Sequence, residues 1–561
     1  MTQFYRLLAS PPLTIALLLL PIVGFFVYFF ALRYNIPWFD DFENIPYFLD
    51  HFLNASSVSD AFAALLRPNN EHRVVYARLI VLGQYFLTGG LNFANLMLWG
   101  NAGLILIFYL LYRALKQQEL LSKQAMVGLL PVPLLLFTAQ SYIMTFTAIF
   151  SLQYLAIITL VVLTLFVLAT DRPLYLWIAL GLGLLSTFSM GNGLLLWPAG
   201  AAMLLLQRRW LGLGIWIVAG AASAYLYFLG YPVQQGNDEG FSYVIQHPLQ
   251  TIAGFLIFAG SVFDVLPSIS EKYRFYLPFV AGLILVLGLS YWLLTTLFRS
   301  SKNKSFFDVF IVGCLLFLLA NIALIAFFRL RFYFGMALHI PYRIYALALW
   351  SVASVLFFSR LSETLRARLW PAVWLLFLGL NVFTYYTYLP EAIERRKQMQ
   401  ALSFNQLHSD IGLGGTRNTE LARYISNLTS MMRDRDWYHL PDPAITPSER
   451  QLLRPAGITT ALTPFRITQK PDYIIVDGDD PAYKVGLNTG NYIIMKSARY
   501  TYLVFAPKNR PLTIKPWQVS PGFSAALPVY MMQPGRYQVG LFKTQPDHSD
   551  ILFGNQFIDV P

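Results

Sequence analysis

Three carboxylates follow the first long apolar segment of the chain. That segment covers residues 12–32, and Asp40, Asp41 and Glu43 come shortly after it, beside two aromatic residues. A carboxylate placed near a hydroxyl group can accept its proton, and crowded acids raise one another's pKa towards neutrality. The sequence therefore predicts a general base, Asp40 or Asp41, with Glu43 binding a substrate. The alternative is that these acids only mark a solvated loop or cap the helix that follows.

A second polar run precedes another apolar segment. Glu71, His72 and Arg73 follow two asparagines and come directly before a predicted helix. Backbone N–H groups at a helix N-terminus, together with a guanidinium group, can hold a phosphate or a sugar. The three side chains are therefore predicted to bind substrate, and a salt-bridged loop is the alternative. A divalent metal held by Asp40, Glu71 and His72 is also left open, although this spacing is not a metal motif.

Arginines gather at the predicted loop 328–342. Arg329, Arg331 and Arg343 bracket this apolar loop, which also contains His339. The topology below places the loop outside the cell, where basic residues break the usual charge bias and are often functional. Guanidinium groups suit phosphate oxygens, so Arg331 and Arg343 are predicted to bind a phosphate group. Snorkelling towards ordinary anionic lipid headgroups is the alternative.

The composition indicates a membrane protein that crosses the bilayer many times. Of 561 residues, 56% are hydrophobic and only 12% are charged, and the mean hydropathy is +0.51. The net charge of +12 comes largely from basic residues in short loops, which is the positive-inside pattern and not a sign of nucleic-acid binding. The single cysteine, Cys314, lies in an apolar segment and excludes an intrachain disulfide.

Loop charge predicts about eleven transmembrane helices, with the N-terminus inside and the C-terminus outside. Residues 251–266 are apolar but short, and we interpret them as a re-entrant or in-plane helix, with a tilted twelfth span as the alternative. The first apolar segment is interpreted as a retained helix because no good cleavage site follows it. The predicted spans are 12–32, 95–113, 124–139, 148–169, 174–190, 193–207, 210–230, 275–298, 305–328, 343–359 and 369–389.

The predicted domains follow the change in composition along the chain. Residues 1–389 form the transmembrane domain with an outer loop at 33–94, and 390–454 form a helical linker region. Residues 455–561 alternate apolar and polar positions between Pro and Gly, which predicts an extracytoplasmic β-sandwich. Three aromatic residues there are predicted either to stack on sugar rings or to belong to the core: Trp517, Tyr530 and Tyr537.

The order of these motifs resembles a known superfamily. A first span followed by an acidic outer loop resembles the GT-C superfamily of polytopic glycosyltransferases. The acidic pair and Asn-Glu-His-Arg at 70–73 also resemble a group of bacterial GT-C-like membrane proteins, as do residues 140–153, 191–198, 331–335 and 342–343. The resemblance covers roughly residues 10–390. It implies a GT-C-like helical fold and transfer of a sugar from a polyprenyl-phosphate donor.

We therefore expect a multi-pass glycosyltransferase of a bacterial cytoplasmic membrane. It would transfer a hexosyl or pentosyl group to an extracytoplasmic glycan or lipid-linked acceptor, in contact with membrane lipids and without nucleic acid. No cofactor is assigned. The alternative is a non-catalytic transporter or a structural subunit of an envelope glycan complex. A transporter more often has repeated halves and charges buried in mid-span, whereas here the charges gather at one predicted face.

Overall fold

The computed structural model of the chain describes residues 2–70, 72–118, 124–231, 237–298, 304–454, 465–510 and 520–561. Glu71 and Trp517, which the sequence analysis singled out, lie outside these residues.

The described residues are mostly helical, with a region of β-sheet near the C-terminus. Within the described ranges, nine helices are long and apolar enough to cross a membrane, as expected of a multi-pass membrane protein. They are Pro11–Leu32, Phe93–Lys116, Ala125–Thr145, Ala148–Ala169, Trp210–Phe228, Glu271–Phe298, Phe306–Arg329, Ile340–Arg360 and Glu363–Ser409.

Four apolar helices are shorter. Two of them, Pro173–Ser189 and Gly191–Leu206, correspond to the predicted spans 174–190 and 193–207. At 1.5 Å per residue each is roughly 25 Å long, somewhat less than the hydrocarbon thickness of a typical bilayer. The other two are Val75–Thr88 and Pro248–Ala259. The last of these overlaps the segment 251–266 that is predicted to be re-entrant or in-plane, and its 12 residues give a length of about 18 Å.

The short helix Pro248–Ala259 packs closely on Tyr276–Phe298 through glycines. A Cβ atom added to Gly282 would lie 1.8 Å from the backbone oxygen of Leu256, and one added to Gly260 would lie 1.9 Å from that of Pro278. Only hydrogen fits at these two positions. Small residues allow backbones of membrane helices to approach in this way, so the glycines fix the contact between the two helices.

We expect the Gly282→Ala variant to destabilise the protein by about 1–3 kcal/mol, because the added methyl group must push the two backbones apart. Thermal unfolding of the purified protein in detergent would measure the loss. Gly288 lies on the same helix, and a Cβ added there meets no heavy atom within 4 Å. Gly288→Ala is therefore the matched control, and equal losses for the two variants would contradict the packing explanation.

The predicted outer loop 33–94 contains several short helices. They are a π-helix at Glu43–Tyr47, then Phe48–Leu53, Val58–Leu66 and Val75–Thr88. The hydroxyl of Ser57 caps Val58–Leu66 by accepting the N–H of Asp60. The remaining helices of six or more residues include Thr2–Leu8, Asn237–Gln246, Glu420–Asp434 and the 3₁₀ helix Pro447–Leu453.

The chain divides into two compact units. The helical unit comprises Met1–Tyr28, His51–Ile80 and Leu96–Tyr386. The C-terminal unit comprises Phe29–Asp50, Val81–Asn95 and Thr387–Pro561. Parts of the predicted outer loop 33–94 therefore belong with the C-terminal residues, although the sequence analysis assigned the whole loop to the transmembrane domain.

The C-terminal unit contains two antiparallel sheets. Their strands are β1 Phe465–Gln469, β2 Tyr473–Gly478, β3 Gly490–Lys496, β4 Thr501–Ala506, β5 Phe523–Pro528, β6 Gly535–Thr544 and β7 Ser549–Val560. One sheet has the order β1-β2-β5 and the other β4-β3-β6-β7. In the second sheet Ile493 of β3 lies opposite Val504 on one side and Leu541 on the other.

Both sheets contribute to one core. Ile474 of β2, Ile493 of β3 and Val539 of β6 belong to the same buried cluster. The other face of the four-stranded sheet is covered too, since Tyr492 packs in a cluster with Phe404 of the helix Glu363–Ser409. Because both faces of this sheet are buried, nearly every residue of β3 is buried. A strand with one face in solvent would instead alternate buried and exposed residues.

Two of the aromatic residues considered for sugar stacking can be placed. Tyr537 is fully buried in the core and its hydroxyl donates to the carbonyl of Gln533, so its ring is a core element. Tyr530 is 39% exposed and its ring lies against Tyr473.

Candidate active site

Asn35, in the segment before the three carboxylates, is held in place by two hydrogen bonds. Asn35 accepts the N–H of Phe93 on its side-chain oxygen at 2.8 Å, and its carbonyl accepts the hydroxyl of Tyr438 at 2.6 Å. Both partners are buried. All three residues belong to the C-terminal unit, and their hydrogen bonds fix the backbone a few residues ahead of the acids.

Asp41 is fully buried. Its Oδ2 accepts the N–H of Trp38 at 2.9 Å, which closes a local turn. Burial raises the pKa of Tyr34 and of Tyr438, and the negative charge of Asp41 raises the pKa of both further. Asp41 therefore lies among aromatic side chains, where its carboxylate shapes the turn.

Asp40 has a different environment. It is half-buried, and its carbonyl accepts hydrogen bonds from the backbone N–H and the side-chain amide of Asn44. The preceding residue, Phe39, has a left-handed backbone with φ of 52° and is 60% exposed. Aromatic residues seldom adopt this conformation, and such strain is often found at functional sites. The turn thus places a partly accessible carboxylate next to an exposed aromatic ring.

A cation lies beside the same turn. The guanidinium carbon of Arg395 is 4.0 Å from the centre of the Trp38 ring. Arg395 also lowers the pKa of Tyr34, against the larger effect of burial. Sequence reasoning missed Arg395 as a neighbour of the acidic turn, because the two lie more than 350 residues apart in the chain.

Glu43 pairs with a residue of the C-terminal unit. The hydroxyl of Tyr424 donates to Glu43 Oε2 at 2.5 Å, and the Tyr424 ring also contacts Tyr47. Tyr424 lies on the helix Glu420–Asp434. The bond fastens the π-helix Glu43–Tyr47 to that helix, so at least one carboxylate oxygen of Glu43 has a structural partner.

We expect Tyr424→Phe to lower the stability of the protein by about 1–3 kcal/mol, because it removes a hydrogen bond to a charged group. Differential scanning calorimetry in detergent would measure the change. Tyr500 is a suitable control, since its ring is half-buried in the same unit and Tyr500→Phe removes no hydroxyl contact among the described residues. A Tyr424→Phe variant as stable as Tyr500→Phe would show that the bond is unimportant.

The polar run at 69–73 fastens backbone segments of the helical unit. Arg73 donates to the carbonyls of Tyr227 at 2.9 Å and of Leu229 and Leu66, both at 2.7 Å. The first two carbonyls end the helix Trp210–Phe228, so the guanidinium group caps it. Burial lowers the pKa of Arg73 from its ordinary value. The hydrogen bonds of this predicted substrate ligand therefore go to backbone oxygens, and its guanidinium group also lies over the rings of Phe188 and Tyr227.

His72 also contacts backbone. Its Nδ1 accepts the N–H of Gly191 at 3.2 Å, which requires that this nitrogen carry no proton. Glu71, the third predicted ligand of this run, lies outside the described residues.

Val74, which follows Arg73, is buried with a positive φ of 47°, a conformation that β-branched residues rarely adopt.

The predicted phosphate ligand Arg343 is part of a buried charge cluster in the helical unit. Its Nη2 lies 2.6 Å from Asp264 Oδ2 and 3.0 Å from the carbonyl of Leu338. Arg274 donates to both oxygens of the same carboxylate, at 3.0 and 2.6 Å. The side chains of Arg343 and Asp264 are 0% and 1% exposed, and that of Arg274 is 21% exposed. One carboxylate thus contacts two guanidinium groups.

The neighbouring loop is also positively charged. Arg331 approaches the exposed Glu239 at 4.0 Å. Burial lowers the pKa of His339, and the charges of Arg343 and Arg329 lower it further. His339 is therefore neutral at pH 7. Its buried Nδ1 has no hydrogen-bond partner among the described residues.

Sequence reasoning missed two buried polar groups of the helical unit. Asp264 is the lone acid of the apolar segment 251–266, and a charge in such a segment was the signal that could have identified it. Asn192 donates to Asn321 at 2.6 Å and to Tyr345 at 2.5 Å. Asn321 lies inside the apolar helix Phe306–Arg329, where a polar residue likewise calls for a partner.

The predicted residues are divided between the two compact units. Asp40, Asp41 and Glu43 belong to the C-terminal unit, while His72, Arg73, Arg331 and Arg343 belong to the helical unit. Within the helical unit, Arg73 donates to Tyr227 and His72 accepts from Gly191, while Arg343 pairs with Asp264. Among the described residues, no group of three or more His, Cys, Asp or Glu side chains is placed to hold a metal ion.

Comparison with protein-family models, with curated proteins and with solved structures gave no match for this chain.

Proposed function

We propose that the chain is a GT-C-like glycosyltransferase of a bacterial cytoplasmic membrane, with the eleven-span topology and the extracytoplasmic β-sandwich that its sequence predicts. It transfers a sugar from a polyprenyl-phosphate donor to a glycan or lipid-linked acceptor. One observation supports this most: the turn at 38–44 buries one carboxylate, Asp41, and leaves the adjacent one, Asp40, partly accessible beside an exposed aromatic ring. A base and a flat apolar surface are what activation of a sugar hydroxyl needs.

In the proposed reaction Asp40 is the general base. Its carboxylate accepts the proton of the acceptor hydroxyl as the hydroxyl oxygen forms a bond to the anomeric carbon of the donor sugar. The bond between that carbon and the phosphate oxygen breaks, and the electron pair leaves with the phosphate. Asp41 holds the turn through the N–H of Trp38, and Glu43 positions it through Tyr424.

The leaving phosphate carries negative charge, and the proposed ligands are Arg331 and Arg343. The position of Arg343 supports this assignment, because its guanidinium group and that of Arg274 meet at the same carboxylate. Glu71, His72 and Arg73 are proposed to orient acceptor or phosphate. For His72 and Arg73 the backbone contacts indicate that they do so by holding the loop in place.

Deletion of the gene in its own host, followed by mass spectrometry of surface glycans, would test the proposal. A glycan that lacks one sugar, restored by the wild-type gene, supports it, as does sugar transfer by the purified protein in nanodiscs. Intact glycan that accumulates inside the membrane would instead indicate a transporter. Normal glycan chemistry with a disrupted envelope complex would indicate a structural subunit. Either result would overturn the enzymatic proposal.

A further inference from the structure

A cleft in the C-terminal unit carries two buried cations. It encloses about 390 Å³ between the end of the long helix Glu363–Ser409, the loop before Pro447–Leu453 and the turn that joins β6 to β7. Its walls are mainly polar. They include Arg396 and Lys397 of the long helix, Thr446 of the loop, Ser448 of the 3₁₀ helix that follows, and Thr544 at the end of β6.

Lys397 is 3% exposed yet makes no ion pair or hydrogen bond within the described part of the chain. Its side chain runs past Gly490, where an added Cβ would lie 3.3 Å from Nζ, and its charge lies 5.8 Å from the centre of the Tyr492 ring. A buried ammonium group without a counter-charge is costly, because burial removes its hydration.

Arg396 adds a second charge of the same sign. Its Nε is buried and has no hydrogen-bond partner among the described residues. Two adjacent cations that line one cleft repel each other, and proteins normally offset such an arrangement with an anion.

The nearby acids do not supply that anion. Glu449 is 1% exposed, and its carboxylate accepts the N–H groups of Ala444 and Ile445, the latter at 2.8 Å. Burial raises the pKa of Glu449, which disfavours its charged form, although those N–H donors act in the opposite direction. Asp547 also lines the cleft, in the exposed turn between β6 and β7, but among the described residues it makes no ion pair with Arg396 or Lys397.

Neutral donors complete the walls. The hydroxyls of Thr446 and Ser448 lie 3.0 Å apart, and either can turn its proton towards a ligand. Two cations with adjacent hydroxyls match the charge and the several oxygens of a phosphate better than the single charge of a carboxylate. We propose that this cleft binds the phosphate group of a phosphorylated sugar or lipid through Lys397 and Arg396. The proposal does not depend on glycosyl transfer.

Amine acylation measured by mass spectrometry would test the site on the full-length protein in phosphatidylcholine nanodiscs. We expect inorganic phosphate to protect Lys397 from acylation in the wild type, while the exposed Lys484 of the same unit reacts equally with and without phosphate. Isothermal titration with inorganic phosphate should show binding at least about tenfold weaker in Lys397→Met, since a charge-assisted hydrogen bond contributes about 1.5–3 kcal/mol.

Lys484→Met is the matched control and should bind phosphate as the wild type does. Arg396→Gln gives a second variant should Lys397→Met fail to fold. Protection by glucose 1-phosphate in solution would identify a sugar phosphate as the source, and protection only by phosphatidic acid in the nanodisc would identify a lipid. No phosphate binding, equal binding by Lys397→Met and wild type, or binding of glucuronate in preference to phosphate would overturn the proposal.

Discussion

The Asp40→Asn variant should lose glycosyl transfer by about 10²–10⁴-fold, the range expected when a general base is removed. The reason is geometric: Asp40 is the more accessible acid of the pair, and asparagine keeps its size but cannot accept a proton. The substitution also keeps the backbone carbonyl that accepts the two hydrogen bonds of Asn44. Transfer of labelled sugar by the purified protein in nanodiscs would measure the effect.

The neighbouring acid gives the decisive comparison. Asp41 is fully buried and accepts the N–H of Trp38, a role that the amide oxygen of asparagine can also fill. Because Asp41 is the more buried acid, we expect Asp41→Asn to lower the unfolding temperature more than Asp40→Asn. Because asparagine can keep the bond to Trp38, we expect Asp41→Asn to retain more activity at matched amounts of folded protein. Asp60→Asn, at an exposed acid of the predicted outer loop that accepts the hydroxyls of Ser56 and Ser57, is the control for the loss of a carboxylate elsewhere in that loop. Full activity of Asp40→Asn would remove this residue from catalysis.

Local sequence pattern predicted much of the C-terminal unit. The alternation around residues 491–495 and 502–505 anticipated β3 and β4, because strand period and turn residues are local signals. The first apolar helix is predicted equally well, since Pro11–Leu32 nearly matches residues 12–32.

Pairing between distant residues was not predictable in the same way. Glu43 and Tyr424 lie 381 residues apart, and Asp264 and Arg343 lie 79 apart. Periodicity shows which face of a helix is apolar but not which polar groups meet across it. Buried polar groups must be paired, so a lone acid or amide in an apolar segment predicts that a partner exists without naming it.

Asp264→Asn should be among the most destabilising single substitutions in the helical unit, because it removes the charge that two guanidinium groups share. Arg343 is completely buried and cannot reach water to recover its hydration. Breaking a buried pair by removing one partner costs about 3–5 kcal/mol, enough to prevent a marginally stable protein from accumulating. The amount of folded protein after detergent extraction, followed by size-exclusion chromatography with a fluorescent tag, would measure the loss.

Two further variants test whether the loss comes from a buried charge. Asp308→Asn breaks an Asp–Arg pair with Arg360 whose side chains are 21% and 42% exposed, and it should cost only about 0–1 kcal/mol. The double variant Asp264→Asn/Arg343→Met removes the stranded charge together with the carboxylate. It should recover about 0.5–3 kcal/mol relative to Asp264→Asn, the usual range of coupling between residues in contact. If Asp264→Asn cost no more than Asp308→Asn, the cluster would not be a buried charge network, and the positive charge assigned to the phosphate ligands would lose its structural basis.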